Sequence, residues 1–202
     1  PYHAAPIVRA EIMRQHPRVV ESLNRLGDLI TNEEMAEMNY QVDQQRKSFE
    51  EVARDFLEEK GFRLVASQGG SDLIVGSKNF TESFILAHMF KLIIEANTSQ
   101  GVELKLGFGG TKLLFDALNT GEVDIYPEYT GTGLLVILKS DSTDSIVYQK
   151  QAVYNYVKQA CDENYDLHWL QPLGFNNTFA LMMRRDQAKE LNIKSISDLA
   201  KK

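Results

Sequence analysis

Along the first 63 residues apolar positions recur at helical spacing, interrupted by explicit start and stop signals. Pro17 suits the first turn of a helix and Gly27 its end, so a helix is expected over 18–26. Thr31 followed by Glu34, and Ser48 followed by Glu51, read as capping boxes in which the hydroxyl accepts an amide while the carboxylate reaches back. Helices should therefore begin near Asn32 and Phe49. Phe49, Val52, Ala53, Phe56 and Leu57 make one apolar face, closed by Gly61. The whole segment is expected to be helical, with that face docked on something else.

The texture changes after Leu64. Residues 66–71, Ala-Ser-Gln-Gly-Gly-Ser, have the small, polar, glycine-rich character of a linker. Short β-like runs then alternate with helical patterns: strand 73–75, helix 82–96, strand 102–106, helix 112–118 and strand 123–126. Such βαβαβ order predicts an α/β fold with a mainly parallel sheet flanked by helices. A helical stretch over 146–161, a further run at 167–170, a strand over 178–183 and a capped helix from Ser197 complete the pattern.

Composition narrows the function classes. With 43% hydrophobic and 25% charged residues in 202, the chain can build a core. A net charge of −6 with scattered Lys and Arg offers no stripe for a phosphate backbone, which argues against a nucleic-acid partner. The apolar stretch 84–94 falls short of the roughly 20 residues that a membrane span needs. Any signal peptide or anchor is expected to lie outside this sequence. The single Cys161 permits no internal disulfide and reads as a core residue. The four histidines lack metal-ligand spacing, no Gly-x-Ser-x-Gly elbow is present, and Asp124 and Glu128 show no acid–base partner. Neither an enzyme nor a bound cofactor is expected.

Candidate chemistry gathers where strands run into helices, the place where open parallel sheets bind ligands. Three loops qualify: Gly76 to Ser83, Gly107 to Thr111, and Tyr126 to Thr132. In the first two, helix N-termini and glycines suit a carboxylate, since free amides and the positive dipole end face it. Gly110 and Thr111 serve equally as turn residues, and Asn79 and Thr81 equally as helix caps. In the third, Tyr126 and Tyr129 bracket Pro127. They fit either a wall for a quaternary ammonium cation or ordinary core packing. Glu128 reads as a solvated turn residue.

Four segments carry a resemblance: Val75-Gly76-Ser77-Lys78-Asn79-Phe80-Thr81-Glu82, Gly107-Phe108-Gly109-Gly110-Thr111-Lys112, Asp124-Ile125-Tyr126-Pro127-Glu128-Tyr129-Thr130-Gly131-Thr132-Gly133, and Pro172-Leu173-Gly174-Phe175-Asn176-Asn177-Thr178. Together they resemble the glycine betaine/carnitine/choline-binding proteins of ABC importers. The resemblance implies a lobe of periplasmic-binding-protein type. It also implies an extracytoplasmic location, a permease partner, and a small zwitterionic or quaternary ammonium ligand: glycine betaine, choline, carnitine or the thiol betaine ergothioneine.

Carried over by position, Asn79, Phe80, Thr81 and Ser83 resemble the first ligand-side loop, with Ser83 standing where many relatives have Gln. Tyr129 and Thr132 resemble a cage aromatic and a carboxylate contact. Tyr2 and His3 stand where relatives often have two tyrosines, and Asn176, Asn177 and Phe179 sit at the crossover toward a second lobe. The segment order departs from the family. Residues 1–63 resemble its C-terminal part of the first lobe, 64–71 form the junction, 72–175 resemble the N-terminal part, and 176–202 begin the second lobe. Two explanations fit, a permutant of one lobe joined through that linker or a fragment spanning two tandem binding domains; the linker-like junction favours the first, and weak binding is expected. The rival reading is an interaction module that docks on a permease without holding a small molecule.

Overall fold

The computed structural model describes residues 2–65, 69–140, 145–178 and 181–200. Its first element is a strand, β1 (Ala4–Arg9), in the segment expected to be wholly helical. Ala4, Ala5, Ile7 and Val8 have no exposure at all. A strand covered on both faces reads as a continuous apolar run rather than an alternation, which is why the pattern concealed it. Pro6 concealed it further, because proline normally argues against a central strand. The register removes the conflict: Pro6 stands opposite Pro127, and its carbonyl points the other way to accept the Leu170 amide at 2.9 Å. The missing N–H of Pro6 therefore breaks no bond to its opposite neighbour.

Helices α1 (Ala10–Gln15), α2 (Pro17–Asn24), α3 (Asn32–Asp43) and α4 (Phe49–Glu59) follow. Pro17 opens α2 as expected. The Thr31 capping box forms in both directions, with Thr31 Oγ1 accepting the Glu34 amide at 3.1 Å and Glu34 Oε2 accepting the Thr31 amide at 2.9 Å. Ser48 Oγ accepts the Glu51 amide at 3.1 Å. Gly61, at φ +82°, takes the left-handed position after α4 that glycine occupies without strain.

The alternating region gives β2 (Ser71–Gly76), α5 (Thr81–Asn97), β3 (Gly101–Lys105), α6 (Thr111–Thr120) and β4 (Ile125–Tyr129). A short α7 (Thr130–Thr132) runs into a π-helical turn (Gly133–Ile137). A 3₁₀ turn (Ser145–Tyr148), α8 (Lys150–Tyr165) and β5 (Leu167–Trp169) follow. The last elements are α9 (Arg185–Glu190) and α10 (Ile196–Leu199), neither of which buries a residue. The cap of α10 is Ser195, two residues before the expected start. The strand expected over 178–183 is not formed at 181–183; residues 179 and 180 lie outside the described residues, as do 66–68 of the junction.

The five strands form one sheet in the order β3-β2-β4-β1-β5. β2 pairs in parallel with β3 and β4, while β1 runs antiparallel to both β4 and β5. The sheet is thus more evenly mixed than the βαβ pattern implied, because the strand it did not reveal sits between β4 and β5. One core lies on the face covered by α1 to α5 and includes Val75, Ile125 and Tyr129. The other lies under α6 and α8 and includes Tyr126, Trp169 and Cys161. Cys161 is fully buried, and burial pushes its thiol up to about 11. Among the described residues no helix is long and apolar enough to cross a membrane.

Candidate functional site

The β2–β4 ladder extends no further than Val75 opposite Ile125, two residues before Pro127, whose ring carries no N–H to continue it. Beyond that rung the strand ends separate. The loop after β2 is stitched to the loop after β3 through Ser77: its amide donates to the Lys105 carbonyl at 3.1 Å, its carbonyl accepts the Phe108 amide at 2.9 Å, and its Oγ accepts the Gly107 amide at 3.0 Å. Gly107 and Gly109 take positive φ of +70° and +108°, which turns the chain sharply into α6.

These loops and the end of β4 enclose a cleft of about 590 Å³, open to solvent on one side. Its aromatic wall is Tyr2, Phe80 and Tyr129, the last two with ring centroids 6.1 Å apart. Its polar wall is Asn79, Thr111, Thr132 and Asn177, with the bare backbone of Gly109 and Gly110 between them. Neither Phe80 at the start of α5 nor Gly110 at the start of α6 caps its helix with a side chain. First-turn amides of α6 therefore remain available to an acceptor beside the cleft. Among the described residues no cluster of His, Cys, Asp and Glu could hold a metal ion.

The structure brings together Tyr2, Asn79, Phe80, Gly110, Thr111, Tyr129, Thr132 and Asn177 of the residues expected at the site. It does not bring the others to the cleft wall. Tyr126 is fully buried in the second core, because three steps along a strand put it on the opposite face from Tyr129. The supposed third loop is strand up to Tyr129, so the expectation of a loop-borne Tyr126 is corrected by the two-residue period. Ser83 is wholly buried, and its Oγ accepts the Lys78 amide at 2.9 Å. Thr81 donates its hydroxyl to Asp43 Oδ1 at 2.8 Å instead of facing the cleft. The His3 ring lies 3.0 Å from the Phe175 carbonyl through Nδ1. Asn176 Oδ1 accepts the Tyr2 amide at 2.7 Å and so fixes the cleft aromatic without lining the wall. Phe179 lies outside the described residues.

Three charged groups under the cleft were not anticipated. Glu128, read as a solvated turn residue, is fully buried, and its Oε1 lies 2.5 Å from Lys78 Nζ. Its other oxygen accepts the Tyr126 hydroxyl at 3.2 Å. Burial pushes the Glu128 carboxyl upward against the opposing pull of Lys78. Lys78 lines the cleft, with Nζ 5.3 Å from the Tyr129 ring centroid. Glu82, in the first turn of α5, accepts the Tyr129 hydroxyl at 2.5 Å and the Asn177 side-chain amide at 3.0 Å. Burial raises Glu82, and these hydrogen bonds draw it the other way. The Tyr129 phenol is pushed well above its usual value, by burial first and then by the charge of Glu82. Their sequence neighbourhoods carry no signal of this: Lys78 stands between Ser77 and Asn79 and Glu82 between Thr81 and Ser83, and only pairing in the folded chain reconciles these charges with burial.

A mixed sheet with a cleft at its strand ends, walled by aromatics and free amides, defines a small-molecule binding domain. The chain belongs to the family of substrate-binding domains of ABC-type glycine betaine transport systems, whose family model matches residues 1–59 and 71–202. It is 40% identical over 129 residues to a glycine-betaine-binding protein of Pseudomonas aeruginosa, covering 64% of this chain and 39% of that protein. It is 34% identical over 134 residues to the glycine betaine-binding protein YehZ of Escherichia coli, covering 66% and 43%. The ergothioneine transport permease/ergothioneine binding protein EgtU of Helicobacter pylori is 32% identical over 131 residues, 63% of this chain and 22% of its own. The solved apo YehZ structure from Escherichia coli superposes with a TM-score of 0.51 at 34% identity, over 65% of this chain and 46% of that one. The chain thus spans less than half the length of these relatives.

Proposed function

We propose that this chain is the first lobe of an extracytoplasmic solute-binding component of an ABC importer, and that it takes a betaine-like zwitterion or quaternary amine in its cleft. The single observation that carries this reading is the meeting of Tyr2, Phe80 and Tyr129 with the uncapped N-terminus of α6 in one cavity of about 590 Å³. Aromatic faces attract a trimethylammonium group through their quadrupole, and free first-turn amides accept a carboxylate. Lys78 beside Tyr129 does not repel such a cation outright, because Glu128 neutralises it. The family and the relatives that bind glycine betaine and ergothioneine support the ligand class. They also support a permease as partner. Residues 1–63 and 72–175 together form this lobe, joined through 64–71, with 176–202 as the crossover. Support for that order comes from β1, which sits inside the sheet between β4 and β5.

Ligand sites generally enclose most of the ligand surface, whereas this cleft opens to solvent. A cation left partly hydrated gains only about 0.5 to 1 kcal/mol per ring, so we expect a dissociation constant of about a millimolar for this chain alone. Titration of glycine betaine, choline, carnitine and ergothioneine, followed by amide NMR, tests the reading. Concentrated shifts at Asn79, Tyr129 and Asn177 are the expected result. A folded chain whose cleft amides respond to none of the four ligands would refute it and leave the docking-module reading in its place.

A further inference from the structure

Glu82 has no direct place in the cleft wall, yet the side chains that do depend on it. Its one oxygen Oε1 accepts both the Tyr129 hydroxyl and the Asn177 side-chain amide, at 2.5 and 3.0 Å. Tyr129 ends β4, and Asn177 belongs to the chain after β5, where its backbone amide donates to the Tyr2 carbonyl at 2.9 Å. A single carboxylate in the first turn of α5 thereby ties together the segments that present Tyr2, Tyr129 and Asn177 to the cavity. The residue is only 8% exposed. Among the described residues no Lys, Arg or His forms an ion pair with it, and the cation nearest to the Tyr129 ring, Lys78, is committed to Glu128. A buried carboxylate held only by neutral donors is electrostatically uncompensated. Its field emerges through the phenol that it polarises, toward the cavity.

We propose that Glu82 is the positioning and specificity-determining residue of this cleft. It orients Tyr129 and Asn177 by hydrogen bonding, and its uncompensated charge makes the Tyr129 wall selective for a positively charged headgroup over a neutral one of the same shape. This inference rests on the reading of the cleft as a quaternary ammonium site. Charge and reach are separable here. Because both donors use Oε1, Glu82→Gln offers them an acceptor in the same place without the charge, while Glu82→Asp keeps the charge and withdraws it by one methylene.

The test compares choline with its uncharged isostere 3,3-dimethylbutan-1-ol by NMR titration of the full chain. In Glu82→Gln, choline should weaken about fivefold to tenfold, the scale of a cation–aromatic contact, while the alcohol stays within about twofold. Glu82→Asp should weaken both ligands, since the wall loses its orientation. Equal losses for the two ligands in Glu82→Gln, or no loss, overturn the proposal. If Glu82→Gln does not fold, Tyr129→Phe cuts the same link from the other side and should lower choline selectively; an unchanged choline-to-alcohol ratio overturns the proposal there too. A ligand-free arm separates this idea from the reading beneath it. If the wild-type chain binds neither probe, the ligand assignment fails. The Asn177 side-chain amide signals then decide on Glu82 alone: displacement in Glu82→Asp, which withdraws the acceptor from the Asn177 amide, supports its positioning role, and unmoved signals overturn it.

Discussion

Lys78 and Glu128 meet in a buried ion pair, Nζ to Oε1 at 2.5 Å, with the Glu128 side chain entirely out of solvent. It joins the loop after β2 to the C-terminal end of β4, beyond the point where the β2–β4 ladder has stopped. Removing one partner leaves the other charge buried without compensation. Lys78→Met or Glu128→Leu alone should therefore cost about 3 to 5 kcal/mol in chemical denaturation. The double variant should recover most of that loss, because two apolar groups strand no charge. A double variant as unstable as the sum of the singles would show that the pair supplies more than mutual neutralisation.

Neighbouring glycines in the second loop are expected to behave differently. Gly109 sits at φ +108°, and an added Cβ would meet Leu113 Cδ1 at 3.1 Å. Gly109→Ala should destabilise the fold by about 1 to 2 kcal/mol, the cost of a non-glycine residue forced into positive φ. Gly110, with ordinary φ, has nothing within 4 Å of the position a Cβ would take, and that position lies at the cleft. Gly110→Ala should leave thermal stability unchanged and weaken a carboxylate ligand about tenfold, the scale of one lost hydrogen bond. Calorimetry and NMR titration on the same samples separate the two effects.

Acid sensitivity should arise partly from His88 in α5. Burial holds its pKa below the ordinary 6.5, and Nδ1 has no partner among the described residues. His3 is displaced in the same direction, by burial and by Lys150. In such a case the unfolded chain takes up protons that the native state resists. Stability is held above about pH 6.5 and lost as pH falls from there through the native values. Denaturation at about pH 7.5 and about pH 5.5 should show a decline for the wild type and a smaller one for His88→Leu. An identical decline in both would remove His88 as a contributor.

The position of β1 makes the first segment structurally inseparable from the rest. Its Ala4, Ala5, Ile7 and Val8 are buried between β4 and β5, so residues 69–202 alone would expose both strands to solvent. Separately produced chains of residues 1–65 and 69–202 should each lack cooperative unfolding. Mixed, they should associate and regain a cooperative transition, because the sheet pairings need no covalent link between them. Failure to reassemble would mean that the junction is needed to assemble this lobe.

Much of this lobe could be read from local pattern. The Thr31 box, Pro17 and Gly61 mark helix ends through chemistry that acts within a few residues, and the βαβαβ alternation follows from periodicity. Eight residues expected at the site do line one cavity, because loops at strand ends converge whenever parallel strands are neighbours. The misses share a cause. β1 was hidden because its apolar run is covered on both faces. Tyr126 is misplaced because the strand expected to end at 126 runs on to Tyr129, and its two-residue period sends the two tyrosines to opposite faces.

What the sequence alone determined is thus several helix starts, the order of the parallel units, the family and the loops that line the cleft. Only the tertiary structure decided that the opening segment completes the sheet from between β4 and β5, that Tyr129 faces the cleft while Tyr126 does not, and that Lys78 pairs with Glu128 while Glu82 holds Tyr129 and Asn177. Those contacts join residues 50, 47 and 95 positions apart. No local propensity or spacing encodes which buried charge meets which partner across such separations. That choice is made when burial removes water and leaves each polar group to be satisfied by whatever the packed chain brings within reach.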